Sequence, residues 1–467
     1  MFISLSYMIF LIAALGLYYL FPPGKRWVVL LGFSIFFYCS CGVRTLPLFI
    51  AMTAVSYFGS LLLCRNKSRE LFFILILLLL LPMLLTKTLV RFTELSVFAP
   101  VGVSFFTLQI IAYLSDVRSN KTAPERNFLK YLLFIGFFPQ LLQGPIPRYG
   151  LMEDLYKGHT FDEDKVIKGF MLIAWGFFLK LMIADRAGIF VDMVYSDIDR
   201  YGGTYIFIAG ILYSIQLYTD FSSCVCIAKG SGEMFGITLS DNFNRPYFSD
   251  SIKDFWRRWH ISLSMFLRDY IYIPLGGSRA GKLRKYVNIM ITFLVSGIWH
   301  GGGLNYIFWG MLHGTYEILQ ELLGGLWKKA GVITGFDGHR RLVRLLNILI
   351  TGFCVMTAWI IFRAESLSKG LNMVLSMFTR VNPWILFNDS LILDGFEMAD
   401  WNILALSVMI LIMVSILQEK GVSIRDRILS YPLLLRGALY MAVILICVVF
   451  GEYGEGFETG SYIYAGF

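Results

Sequence analysis

Apolar runs follow one another along almost the whole chain, separated by short polar stretches. They lie near 1–22, 27–42, 46–64, 71–90, 99–117, 167–185, 204–224, 286–300, 304–326, 345–363, 403–418 and 434–450. A run of about 20 apolar residues makes a helix that spans the hydrocarbon of a bilayer. Several runs are shorter, and 128–144 is apolar but ends in Gln143-Gly144-Pro145. Short or broken segments at membrane depth are tolerated where protein buries them or where they line a cavity. The pattern predicts an all-α polytopic membrane protein with about 11–13 transmembrane or re-entrant helices. The first run lacks a basic leader and is followed directly by Pro22-Pro23-Gly24-Lys25-Arg26, so it reads as a helix rather than a cleaved signal.

Composition agrees with a lipid solvent. Of 467 residues, 57% are hydrophobic and 16% charged, against about 25% charged in a soluble domain. Basic residues set the expected orientation. Lys25 and Arg26 follow the first run, Arg65, Lys67 and Arg69 the third, and Arg118, Lys121, Arg126 and Lys130 the fifth. The loops between are poorer in cations, holding Arg44 and then Lys87 and Arg91 with Glu94. The positive-inside rule puts the N-terminus outside and these basic loops in the cytoplasm. The net charge of +9 is spread among loops, which suits anionic lipid and not nucleic acid. The seven cysteines are mostly inside apolar runs, and Cys39/Cys41 and Cys224/Cys226 have no nearby histidine to complete a metal site. They read as small buried hydrophobes, with no metal expected.

Polar residues at membrane depth are costly and mark function. From Ser249 to Tyr270, Ser251 and Asp254 form a capping-box-like start. Ile252, Phe255, Trp256, Trp259, Leu263, Phe266, Leu267 and Tyr270 then recur at helical spacing on one face, with Lys253, Arg257, Ser264 and Arg268 on another and His260 at the seam. Two readings fit: an interfacial helix whose arginines meet headgroups, or one wall of a site.

From Tyr286 to His300 the chain is apolar except for Asn288, Thr292, Ser296 and His300, spaced four apart. That spacing places all four on one stripe, which should face a packed interior or a cavity. With Lys285 at the cytoplasmic surface, His300 lies about 22 Å along the axis, and the helix terminus there favours positive charge. A general base or a structural histidine fits this position. His313 has Glu317 one turn later, and a local His–Glu pair is the default expectation. Asp220 ends an apolar segment, as a cavity-lining acid or a helix cap; His159 and His339 lie in polar stretches and read as solvated.

The blocks Asn242-Phe243-Asn244-Arg245-Pro246-Tyr247, Asp254-Phe255-Trp256-Arg257-Arg258-Trp259-His260-Ile261-Ser262-Leu263-Ser264 and Leu267-Arg268-Asp269-Tyr270-Ile271-Tyr272-Ile273-Pro274-Leu275-Gly276-Gly277 resemble the signature of bacterial membrane-bound O-acyltransferases, most closely the alginate O-acetylase branch. Gly297-Ile298-Trp299-His300-Gly301 resembles the block that carries the family's invariant histidine, and Trp309-Gly310-Met311-Leu312-His313-Gly314 the block after it. Val101-Gly102-Val103-Ser104-Phe105-Phe106-Thr107, Phe137-Phe138-Pro139-Gln140, Gly144-Pro145-Ile146-Pro147-Arg148-Tyr149, Trp359-Ile360-Ile361-Phe362-Arg363-Ala364 and Tyr462-Ile463-Tyr464 are similar too.

The resemblance implies one membrane domain over 1–467, with N-terminal helices in 1–130, a catalytic core in 131–326 and C-terminal helices in 327–467, arranged around a central tunnel. It implies a multi-pass protein of the bacterial inner membrane that takes an acyl group from acetyl-coenzyme A, or another acyl thioester, and needs no bound cofactor. The acceptor would be a hydroxyl of an envelope or exported polysaccharide, reached directly or through an extracytoplasmic esterase-like acetyltransferase. His300 takes the role of the invariant catalytic histidine and His260 that of the second polar position. Eight basic residues against two acids between Lys253 and Lys285 offer phosphate contacts, with Arg257, Arg258, Arg268, Lys282, Arg284 and Lys285 as donor-binding candidates. Asn288, Thr292, Ser296, Asp220 and His313 are the tunnel-lining candidates. The stretch Ser223-Cys224-Val225-Cys226 departs from the family pattern and leaves acceptor and acyl group open. D-alanyl transfer from an acidic carrier protein to teichoic acid remains an alternative, as does a transporter or flippase with the stripe as its pathway.

Overall fold

The computed structural model describes residues 2–89, 101–279, 281–334, 339–393 and 395–453. The aromatic ending Tyr462-Ile463-Tyr464, like Arg91 and Glu94, lies outside them. Among the described residues the chain is helical without a β-strand ladder. The helices are α1 (Leu5–Leu20), α2 (Arg26–Gly42), α3 (Leu46–Asn66), α4 (Arg69–Leu89), α5 (Val103–Arg118), α6 (Phe128–Gly136), α7 (Phe138–Leu141), α8 (Glu163–Phe178), α9 (Asp185–Ser196) and α10 (Gly203–Met234). There follow α11 (Ile252–Arg258), α12 (Ile261–Leu267), α13 (Lys282–His300), α14 (Leu304–Thr334), α15 (Arg340–Arg363), α16 (Leu367–Thr379), α17 (Met398–Glu419), α18 (Ile424–Leu429) and α19 (Leu433–Phe450).

Seven helical stretches among the described residues are long and apolar enough to cross a membrane: 23–66, 69–87, 163–196, 203–234, 340–363, 398–419 and 433–450. The polytopic all-α architecture expected from the apolar pattern is therefore present. The run at 128–144 is interrupted, as its ending suggests: α6 stops before Phe137, whose ψ of 112° leaves the helical region, and Pro139 sits in the short α7.

The chain divides into two compact units, residues 1–177 with 223–241, and 178–222 with 242–459. In the first, Tyr7 and Ser231 hydroxyls meet at 2.8 Å and tie α1 to the end of α10. There α8 and α10 cross at two glycines: a Cβ on Gly169 would stand 2.5 Å from the Gly230 carbonyl oxygen, and one on Gly230 2.5 Å from that of Gly169. Small residues let membrane helices approach this closely where lipid supplies no hydrophobic push. In the second unit, α13 and α14 form a hairpin joined by Gly301–Gly303. Its backbones touch at Gly297, where a Cβ would lie 2.5 Å from the Tyr306 oxygen, and at Gly310, 2.3 Å from that of Phe293.

Candidate active site

Close approach of α13 and α14 brings the aromatic and histidine side chains of the hairpin together. His300 is the last residue of α13 and is buried. Trp299, Trp309 and Phe362 surround its ring with centroids at 4.7, 5.0 and 5.3 Å, all edge to face. Phe362 is held in place because Asn305, at the start of α14, donates its amide to the carbonyls of Phe362 (3.2 Å) and Ala364 (3.0 Å).

The segment 252–272 is not the single amphipathic helix that its periodicity suggests. Ser251 does cap α11, accepting from the Asp254 amide at 3.1 Å. The helix then breaks: Trp259 is extended, and His260 has φ 41° and ψ 54°, in the left-handed region uncommon for side-chain-bearing residues. The break is clamped from outside. Asn242 accepts the Ile261 amide on its carbonyl and the Ser262 amide on its side chain, both at 3.0 Å, while Asn244 donates to the Arg258 carbonyl at 2.9 Å. His260 thus starts α12 instead of sitting at a helix seam. Its ring is buried against Phe221 at 4.8 Å and lies 6.1 Å from Trp299. Trp299 therefore stands beside both His260 and His300.

His313 is buried on α14, and its bonded neighbour is Trp256 rather than Glu317: the indole N–H donates to His313 Nδ1 at 3.2 Å. Since an indole nitrogen only donates, Nδ1 is the acceptor and the neutral ring carries its proton on Nε2. Trp309 and Trp256 flank the ring at 5.1 and 5.0 Å. This bond pins α11 to α14.

The stripe on α13 holds, with Asn288, Ser296 and His300 buried. Asn288 donates to the carbonyls of Leu275 (3.2 Å) and Gly277 (2.9 Å), so it closes the preceding loop, and Thr292 bonds back to the Asn288 carbonyl at 2.7 Å. Asp220 is neither a helix cap nor isolated. It faces the Lys180 ammonium at 2.6 Å, and Asp185 shares that ammonium at 2.8 Å. Lys180 lies in a π-helical turn, Leu179–Ala184. Helical periodicity does not single it out, although a lysine inside Phe177-Phe178-Leu179-Lys180-Leu181-Met182-Ile183 is itself a signal at membrane depth.

Among the donor-binding candidates, Arg257, Lys282 and Arg284 are exposed. Arg258 is paired with Asp254 (2.9 Å) and Glu419 (3.3 Å), Arg268 with Asp269 (2.7 Å), and Lys285 with Glu321 on α14.

This helical, membrane-spanning chain matches the family model for the membrane-bound O-acyltransferases over residues 43–332. It belongs to that family and is an acyltransferase. Among its relatives, a probable alginate O-acetylase of Pseudomonas fluorescens is 34% identical over 77% of this chain and 71% of its own. A peptidoglycan O-acetyltransferase of Helicobacter pylori is 35% identical over 75% of this chain and 73% of its own. A teichoic acid D-alanyltransferase of Bacillus subtilis is 31% identical over 45% and 56%.

Proposed function

We propose that the protein transfers an acyl group, acetyl in the first instance, from a cytoplasmic thioester to a hydroxyl of an envelope or exported polysaccharide, with His300 as the general base. The observation that carries this reading is the position of His300: buried at the end of the α13 stripe, enclosed by Trp299, Trp309 and Phe362, with the His260 ring 6.1 Å from Trp299. The relatives named for alginate and peptidoglycan O-acetylation support a polysaccharide acceptor.

The donor would be acetyl-coenzyme A, its phosphates held at the exposed Arg257, Lys282 and Arg284. His300 takes the proton of the acceptor hydroxyl as that oxygen attacks the thioester carbonyl. When the tetrahedral intermediate collapses, the carbon–sulfur bond breaks and the thiolate recovers the proton from the imidazolium. His260, rigid in its clamped turn, orients the donor or donates to the developing oxyanion. The 275–286 loop faces the cytoplasm in this scheme and the N-terminus lies outside the bacterial inner membrane. The attacking hydroxyl is presented either by the polysaccharide itself or by a separate extracytoplasmic transferase, which then passes the acyl group on to the polymer.

The test is acyl transfer from labelled acetyl-coenzyme A by the purified protein, with and without a soluble esterase-like partner. Turnover of the thioester supports the scheme, and its absence with transport of an uncharged sugar lipid would favour a flippase. Transfer only from a charged carrier protein would establish D-alanylation instead.

A further inference from the structure

Away from the histidines, the second unit carries a groove with two chemically different compartments along one face of α15. The apolar compartment, about 440 Å³, is lined by Phe207 and Ile211 of α10, Tyr247, Leu349 and Phe353 of α15 and Leu411 of α17, among others, with Arg245 at its edge. A polar compartment of about 470 Å³ is lined by Asp250, Arg340, Val343, Arg344 and Asn347. Both volumes fall within the ~300–1,000 Å³ of ligand sites. Arg340, Arg344, Asn347, Ile348, Gly352 and Met356 follow at helical spacing, so the two compartments succeed one another turn by turn.

Charge collects where they meet. Arg245, Arg258 and Arg344 converge on the single carboxylate of Glu419, at 2.6, 3.3 and 3.6 Å. Arg258 also pairs with Asp254 at 2.9 Å, and Arg340 and Asp250 line the polar compartment, so four guanidinium groups are gathered with three carboxylates. Arg245 spends only its Nε–H on Glu419; no hydrogen bond from its Nη groups falls among the described residues. Its backbone is left-handed (φ 49°, ψ 60°) immediately before Pro246, a costly conformation kept where the surroundings fix it.

We propose that this groove is a binding site for one anionic phospholipid, with an acyl chain in the apolar compartment and the phosphate against Arg245 and Arg344. A guanidinium pairs with a phosphate by two parallel charge-assisted hydrogen bonds, whereas a zwitterionic headgroup brings its own cation to the same arginines. The bound chain lies over Tyr218 and Tyr247, whose rings are each 6.3 Å from Trp259, the residue before His260. Occupancy therefore braces the turn that presents His260. The site does not depend on what acyl group is transferred.

The test is native mass spectrometry of the detergent-purified full chain titrated with phosphatidylglycerol or phosphatidylcholine of identical chains. One phosphatidylglycerol should be retained per chain at concentrations where phosphatidylcholine is not. Arg245→Gln and Arg344→Gln should each weaken retention about fivefold, as for a basic side chain facing an anionic lipid. Gly352→Phe projects into open space, so it should fill the apolar compartment and abolish retention while helix content stays unchanged. Equal retention of both lipids, or undiminished phosphatidylglycerol binding by the glutamine and phenylalanine variants, would overturn the proposal.

Discussion

Two groups of buried polar side chains in the second unit are built in opposite ways. Around Lys180, charge answers charge: its ammonium touches Asp220 and Asp185, and the next residue but five, Arg186, meets Asp400 and Glu452, the latter at 2.7 Å. Around His300 the neighbours are rings: Trp299, Trp309 and Phe362. Ionic groups in a membrane interior persist when paired, and losing one partner strands the other. An imidazole among aromatic edges differs in kind from Lys180, which has the opposite charges of Asp220 and Asp185 set against it. The first cluster holds helices α9, α10, α17 and the π-turn together, and the second is the one we propose for acyl transfer.

Substitutions should separate the two clusters by what they damage. The largest effect is expected at His300: a positioned base contributes about 10²- to 10⁴-fold in rate, so His300→Ala should lose kcat on that scale with an unchanged melting temperature. Lys180→Met should do the reverse. Stranding Asp220 and Asp185 costs about 3–5 kcal/mol, seen as a lower melting temperature and poor yield in detergent, and Lys180→Met/Asp220→Leu should regain part of it. Equal stability of Lys180→Met and wild type would break the comparison.

Trp256→Phe leaves His313 Nδ1 buried without its donor, a loss of about 1–3 kcal/mol readable in denaturant unfolding, with little change in KM. The smallest effect belongs to the basic loop. Because Lys285 is engaged with Glu321, Lys282 and Arg284 should carry the donor contact, so Lys282→Gln/Arg284→Gln should raise KM for acetyl-coenzyme A about tenfold for each charged hydrogen bond lost. Lys285→Gln should instead loosen the α13–α14 hairpin. An unchanged KM in the double variant would return the loop to lipid headgroups.

The polar stripe was legible because Asn288, Thr292, Ser296 and His300 are local, four residues apart on one helix. The break at His260 was not, since Trp256, Trp259 and Leu263 keep helical spacing straight through it. What bends the chain is the clamp from Asn242 and Asn244, residues whose role depends on tertiary hydrogen bonds. His313 was misassigned for the same reason: Glu317 is near in sequence, but Trp256, 57 residues away, is its partner in space. Lys180 could have been read, as a lone cation in an apolar run, though its pairing with Asp220 forty residues later could not.

The central claim is that His300 contributes basicity and not merely shape. Its most direct test is the initial rate of ester formation from labelled acetyl-coenzyme A by His300→Gln and wild type, at matched amounts of monodisperse protein of equal melting temperature. Glutamine keeps hydrogen bonding without an acid–base group, so the variant should stay at least about 100-fold slower. A His300→Gln enzyme with near-normal turnover would contradict the account.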